Sequence, residues 1–132
     1  MNKQMEIVNK MYDKDAFSQL LGIKILDVSE GFCQLKLQIT KEMLNGFHIA
    51  HGGIAYSLAD SALAFAANTY GKQCVSIETS ISHAVPSKEG DILTAETREL
   101  SKTDKLGIYL IKIMNQNDKE VAIFKGTIYC TS

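Results

Sequence analysis

Residues 45–71, NGFHIAHGGIAYSLADSALAFAANTYG, decide the fold, because they join a glycine-rich turn to a long apolar segment. Over residues 53–70 Ala, Leu, Ile, Phe and Tyr predominate without strand-like alternation, which predicts a helix about 27 Å long. A helix that is apolar on nearly every face belongs inside a protein or a membrane. Several polar residues interrupt this one, so it is a poor membrane span and we expect a buried helix.

The two ends of the predicted helix carry glycine. Ala50-His51-Gly52-Gly53 precedes it, which lets the backbone come close to a ligand and leaves unpaired N–H groups at the positive end of the helix dipole. Gly71 follows it as a plausible residue just beyond the C-terminus. The start of the helix is therefore a candidate binding site.

Length and charge limit the class of protein. A chain of 132 residues with 45% hydrophobic content can bury one core and is too short for two ordinary domains, so we expect a single domain over residues 1–132. A formal charge of -1, from 14 basic and 15 acidic residues, gives no electrostatic footprint for nucleic acid or an anionic membrane surface. We therefore expect neither a nucleic acid nor a membrane as a partner.

The cysteines and the N-terminus bear on the cellular compartment. Cys33, Cys74 and Cys130 are odd in number and far apart, so we expect neither a disulfide framework nor a zinc site, but thiols in a reducing compartment. The polar N-terminal segment has no apolar run of the kind found in signal peptides. The expected location is the cytoplasm.

Hydrophobic periodicity predicts the remaining elements. Residues 2–21 have apolar positions at helical spacing, which fits two short helices or one kinked helix closed by Gly22. Glu30-Gly31 marks the turn of a hairpin with one solvated face. The predicted strands cover residues 23–30, 32–40, 74–85, 91–100, 106–114 and 121–130.

This order of elements predicts an α+β fold in which one antiparallel sheet curls around one long central helix. A sheet of this size has at least one exposed edge, and a single layer covers an all-apolar helix poorly. We therefore expect dimerisation through sheet edges or helix faces.

Asp60 is the residue within the central helix that needs an explanation. Aspartate prefers helix ends, and burial of a carboxylate without partners costs several kcal/mol. One reading is structural, with hydrogen bonds from the hydroxyls of Tyr56 and Ser57, which lie four and three residues earlier on the same face. The functional reading is a general base or nucleophile whose pKa is raised by desolvation.

The backbone at His51, Gly52 and Gly53 complements this carboxylate. N–H groups at a helix start stabilise negative charge on a carbonyl oxygen, which suits acyl transfer or hydrolysis. Gly52 and Asp60 lie eight residues apart, about 12 Å along a helix, so one helix cannot bring both to one small group. Two helices antiparallel across a two-fold axis can, and this predicts two shared sites per dimer.

The pattern Asn45, His51-Gly52-Gly53, Asp60 closely resembles the hotdog-fold acyl-CoA thioesterases, particularly the phenylacetate-degradation type. The segments DAFSQLLG at residues 15–22 and AVPSKEGDIL at residues 84–93 also look like that family's N-terminal helix and one of its strand connections. The resemblance covers most of the chain and implies a hotdog fold.

The resemblance also implies roles for individual residues. Asp60 matches the catalytic carboxylate that activates water or attacks the thioester, and Gly52 the glycine whose N–H polarises its carbonyl. Asn45 matches an asparagine that positions substrate or water, the alternative being an Asx turn before the helix. His51 matches a histidine that orients the loop. Ser76 matches an assisting serine or threonine, the alternative being an ordinary strand serine on the solvent face.

Other residues are candidates for binding the substrate. Gly53 belongs to the glycine cradle, and Phe47 and Tyr56 either line the acyl pocket or fill the core. Lys88 is a candidate for the phosphates of coenzyme A, although a solvated loop lysine is the alternative. His83 is interpreted as a structural strand residue.

The resemblance implies hydrolysis of a medium-chain or aryl acyl-CoA, such as a phenylacetyl or hydroxyphenylacetyl thioester, by a homodimer or a homotetramer of two dimers. Coenzyme A enters as part of the substrate, and no cofactor is implied. No metal is expected, because His48 and His51 lack a third ligand at suitable spacing. The alternative function is an acyl-CoA binding or sensing protein without catalysis. Hydratase chemistry would need a differently spaced histidine and acid.

Overall fold

The computed structural model describes residues 2–131. Two helices, α1 (Lys3–Asp13) and α2 (Ala16–Leu20), precede a hairpin of β1 (Lys24–Ser29) and β2 (Phe32–Gln38). The long helix α3 covers Gly52–Asn68. The remaining strands are β3 (Cys74–His83), β4 (Ile92–Lys102), β5 (Leu106–Met114) and β6 (Glu120–Cys130). All these elements were predicted from the sequence, but a 3-10 turn at Lys41–Met43 was not.

The six strands form one sheet in the order β1-β2-β4-β5-β6-β3, and every neighbouring pair is antiparallel. Helix α3 contacts five of the strands, β2 to β6, and also packs against α1 and α2. A sheet around one long central helix is the hotdog architecture, so the predicted α+β hotdog fold is confirmed. Strands β1 and β3 are the two edges of the sheet.

The sheet packs on α3 through alternating residues and through close approach. In β2, Cys33, Leu35 and Leu37 are buried while the residues between them are partly exposed, as the predicted alternation requires. Leu63 of α3 is fully buried above Gly126 of β6, where an added Cβ would overlap the Leu63 Cδ2. The absence of a side chain at residue 126 therefore makes room for the helix.

The prediction that the cysteines form no disulfide is wrong. Cys74 and Cys130 face each other across β3 and β6 and form a disulfide, with their Cα atoms 4.0 Å apart. Only Cys33 is a free thiol, and it is buried. The 56 residues between the two bridged cysteines conceal their pairing in the sequence, and the strand register brings them together. The cysteine pattern consequently no longer supports a reducing compartment.

Strand β3 carries exposed apolar residues along the edge of the sheet. Val75 and Ile77 are 54% and 58% exposed, and within residues 2–131 the one strand that pairs with β3 is β6. Its other edge therefore presents backbone N–H and C=O groups that a further strand would pair with. Among residues 2–131, no helix has the length and apolar character needed to cross a membrane.

Candidate active site

A cleft of about 240 Å³ lies at the N-terminus of α3. The turn before the helix and the helix start form one wall, and the end of β3 with the following loop forms the other. Polar residues from both walls reach this cleft: Asn45, His51, Gly52, His83 and Ser87. The hydrogen bond from the Ala50 N–H to the Ser87 carbonyl oxygen, 2.7 Å long, joins the two walls.

His51 is the N-cap of α3 and determines which backbone N–H groups stay available. Its Nδ1 accepts a hydrogen bond from the Gly53 N–H at 2.9 Å, and its carbonyl oxygen accepts from the Ile54 N–H. Within residues 2–131 the Gly52 N–H makes no hydrogen bond, as expected for the first position of a helix. Gly53 is thus occupied by the cap, and Gly52 has a free donor at the cleft.

Asn45 holds the turn that leads into the helix. Its Oδ1 accepts hydrogen bonds from the N–H groups of Phe47 and Ile49, at 2.9 and 3.4 Å. This is the Asx turn that sequence analysis gave as the alternative, and it uses Oδ1 while Asn45 also lines the cleft. Phe47 is 85% exposed, so it is not part of the core of this chain.

Asp60 is half-buried in the middle of α3. Partial burial raises the pKa of its carboxyl above the ordinary value, and the charge of the nearby Asp15 raises it further. Neither hydroxyl suggested as its partner is used for it, because Tyr56 bonds to Thr79 and Ser57 donates to the Gly53 carbonyl oxygen. No group in the described part of the chain hydrogen-bonds to the Asp60 carboxylate, whose oxygens are accessible.

Asp15 is held near Asp60 by a chain of hydrogen bonds between α2 and α3. The Asp15 carboxylate accepts from the Ser18 N–H at 3.0 Å and from the Ser18 hydroxyl at 2.6 Å. The Ser18 hydroxyl is also 2.7 Å from that of Ser61, which follows Asp60 in α3. Helix α2 therefore holds a second carboxylate in place beside the first.

The other candidate residues lie apart from the cleft or at its margin. Ser76 is exposed on β3, next to an irregularity in the pairing with β6. The ring of Tyr56 packs edge-on against Phe124, with centroids 5.2 Å apart. Lys88 is exposed in the loop after β3, where its backbone N–H donates to the Asp91 carboxylate at 2.9 Å.

His83 is a cleft residue that the sequence analysis interpreted as structural. It ends β3, is exposed, and its Nε2 would lie 3.3 Å from a Cβ placed on Gly52. Only the antiparallel course of β3 along α3 brings these residues together. A polar residue at the end of the strand that follows the helix was the one signal available in the sequence.

Two groups suited to thioester hydrolysis thus lie at different positions along α3. The cleft holds the Gly52 N–H, and Asp60 lies about two turns further along α3, about 12 Å away. A free N–H at a helix start can bind a carbonyl oxygen, and a desolvated carboxylate can activate water. The sheet wrapped around one helix is a hotdog fold, and these two groups are of the kinds that thioester hydrolysis uses.

Comparisons with known proteins agree with this class. The family model of the thioesterase superfamily matches residues 47–122. Acyl-coenzyme A thioesterase PaaI from Escherichia coli is 38% identical over 95% of this chain and 89% of that protein. A putative esterase from Archaeoglobus fulgidus is 40% identical over 90% of this chain and 77% of that protein.

The solved structure of the E. coli PaaI protein, from the phenylacetic acid degradation operon, superimposes with a TM-score of 0.96 at 37% identity. The match covers 98% of this chain and 94% of that one. The chain belongs to the thioesterase superfamily, and its resemblance to thioesterases of the PaaI type, which the sequence motifs indicated, is confirmed.

Proposed function

We propose that this protein hydrolyses acyl-CoA thioesters in a site shared by two chains, with Asp60 of one chain and Gly52 of the other. The observation that carries the proposal is the state of Asp60, a half-buried carboxylate that no described group hydrogen-bonds. Ionisation of such a group costs the fold stability, and a role in function explains why this cost is tolerated. The free N–H of Gly52 on the same helix supplies the complementary donor.

The position of the helix against β3 supports a shared site. Tyr56 lies midway between Gly52 and Asp60 on α3, and its hydroxyl bonds to Thr79. Thr79 stands next to Glu78 at the centre of β3 (Cys74–His83). A two-fold axis through the centre of β3 would therefore place Gly52 of one chain level with Asp60 of the other.

The β3 edge is where we place this axis. Its unpaired backbone groups and the exposed side chains of Val75 and Ile77 are suited to the same strand of a second copy. Two β3 strands that pair antiparallel about a two-fold axis form one continuous sheet and make a self-complementary interface. Light scattering should give a dimer or a tetramer of two dimers, and a stable monomer would contradict the proposal.

The chemistry follows from these positions. Asp60 takes a proton from a water molecule whose oxygen attacks the thioester carbonyl carbon, and the electron pair of the C=O bond moves to the oxygen. The Gly52 N–H stabilises this oxyanion. When the C=O bond re-forms, the C–S bond breaks, and the coenzyme A thiolate takes up the proton. Thioester and water thus give a carboxylic acid and a thiol, although direct attack by Asp60 would give the same products.

The acyl group is proposed from similarity. The name of the E. coli relative and the operon of its solved structure point to acyl-CoA and to aryl acids. We therefore propose medium-chain or aryl acyl-CoA substrates. Asn45 would orient the substrate or water through its Nδ2 donors. Lys88, an exposed residue that follows the cleft residue Ser87, is the cation that we propose for a phosphate of coenzyme A.

Thiol release from a panel of acyl-CoAs, acetyl to lauroyl with phenylacetyl and hydroxybenzoyl, tests the activity. Asp60→Asn should lower kcat at least ~10²-fold, which is the usual effect of a positioned base. Asp104→Asn is the matched control, because its side chain is 97% exposed and it should behave as wild type. Binding of acyl-CoA without hydrolysis by the wild type would refute the role of Asp60 and favour a binding protein.

A mixing experiment tests the sharing of the site. Asp60→Ala and Gly52→Pro should each be inactive, and proline is tolerated at the first position of a helix. In a random mixture half of the dimers combine both chains, and each of these has one intact site of two, so about a quarter of wild-type activity should return. No recovery after proven subunit exchange would show that each chain acts alone.

A further inference from the structure

The geometry points to His83 as a second hydrogen-bond donor for the thioester carbonyl oxygen, beside the Gly52 N–H. This inference rests on the proposed function and adds a residue to that site. Its starting point is the contact between the two residues. A Cβ on Gly52 would come within 3.3 Å of the His83 Nε2 and 3.4 Å of its Cε1.

The contact joins the end of β3 to the start of α3. His83 is the last residue of β3, and its strand partner in β6 is Ala122. Gly52 is the first residue of α3, so the imidazole lies against the end of the helix where the backbone N–H groups are unpaired. Both residues line the same cleft, so a carbonyl oxygen bound there at the Gly52 N–H would have the imidazole as a neighbour.

The hydrogen bonds around the cleft leave His83 available. His51 is used by the cap, since its Nδ1 accepts from Gly53, and the Asn45 Oδ1 is used by the turn. The imidazole of His83 makes no hydrogen bond to any group within residues 2–131, and its side chain is exposed. The imidazole N–H of His83 is therefore not engaged by the described chain and can donate to a bound ligand.

A second donor at this oxygen would stabilise the charge that develops during the reaction. During the attack of water, the carbonyl oxygen gains a full negative charge, and a single backbone N–H satisfies only part of it. An imidazole N–H at the same oxygen adds a donor where charge develops and needs no change in the roles of Asp60 or Gly52. His83 keeps its proton throughout, so the balance of the reaction is unchanged.

Three variants separate donation from packing. His83→Phe keeps a ring against Gly52 but has no N–H, and we expect kcat to fall about 10- to 10²-fold with little change in KM. His83→Gln keeps an N–H donor and should recover much of the loss. His48→Asn is the control, because it removes an imidazole from the exposed loop before α3, and asparagine tolerates the positive φ of 63° there. If His83→Phe has the kcat of the wild type, His83 only packs against Gly52 and does not act as a donor.

A spectroscopic measurement tests the donor without turnover. In a ketone analogue of acyl-CoA, a methylene separates the carbonyl from the sulfur, so it cannot be hydrolysed. Bound to the wild type, its C=O stretching frequency should be lower than when bound to His83→Phe, and His83→Gln should restore the lower value. Equal frequencies in all three proteins would overturn the inference even if Asp60-dependent hydrolysis stands. If the wild type hydrolyses no thioester, the proposed function fails, but this measurement still tests whether His83 donates to a bound carbonyl. Failure of the analogue to bind would overturn the inference about His83.

Discussion

Glu99 of β4 joins three parts of the fold, and its removal should destabilise the protein by a calculable amount. Its carboxylate accepts hydrogen bonds from Tyr109 of β5 at 2.8 Å and from Tyr70, just beyond α3, at 2.8 and 3.0 Å. Tyr109 is fully buried, whereas Tyr70 is partly exposed. A Cβ on Gly31 would lie 2.6 Å from the carboxylate, so the β1–β2 turn also packs against it.

The magnitude follows from these burials. Glu99→Ala leaves the buried Tyr109 hydroxyl without an acceptor, which costs about 1 to 3 kcal/mol, while water compensates Tyr70 in part. We expect a loss of about 2 to 3 kcal/mol in the free energy of unfolding, or a Tm lower by roughly 6 to 15 °C for a chain of this size. Glu99→Gln retains one acceptor oxygen and should cost less.

Urea unfolding at pH 7 measures this effect, at one protein concentration because an oligomer's stability depends on it. Reductant is omitted so that the Cys74–Cys130 disulfide stays intact. Glu96→Ala is the matched control on the same strand, since Glu96 is exposed and should change stability by no more than about 0.5 kcal/mol. If Glu99→Ala costs no more than this control, the three-way contact does not stabilise the fold.

The same contact predicts a loss of stability at alkaline pH. Desolvation, followed by the hydrogen bond and charge of Glu99, raises the pKa of Tyr70 from 10.0 to about 12. Because the folded state holds this proton more tightly than the unfolded state, the stabilisation is complete below pH 10 and decreases as pH rises to about 12. Tyr70→Phe should reduce this decrease, and an unchanged alkaline profile would contradict the assignment.

The remaining predictions concern the carboxylate site and the packing of α3. Asp60→Asn should unfold no more easily than wild type at pH 7, because a raised pKa means that ionisation costs stability as pH rises; a lower Tm would contradict the desolvation of Asp60. Asp15→Asn should shift the acid limb of the kcat/KM profile to lower pH, and an unmoved limb would show that Asp15 does not tune Asp60. Gly126→Ala should cost about 1 to 3 kcal/mol through overpacking against Leu63, whereas Gly46→Ala, with no neighbour within 4 Å, should be nearly neutral in the same denaturation assay.

The sequence by itself determined the elements and their order. Apolar spacing predicted α3 over residues 53–70, and the structure has it at Gly52–Asn68. Alternation in β2 predicted which residues face the core, because side chains of a strand point to opposite faces in turn. The motif from Asn45 to Asp60 also sufficed for the family, since its residues are close together in the chain and can be read without knowledge of the fold.

The tertiary structure alone decided which distant residues meet. It paired Cys74 with Cys130 and placed His83 against Gly52. It also provided the hydroxyls of Tyr56 and Ser57 with hydrogen-bond partners other than Asp60. Local periodicity contains no information about strand register or about the side of a helix on which a strand returns. Those choices depend on how the sheet closes around α3, and they determine which polar groups of the site remain free to bind a substrate.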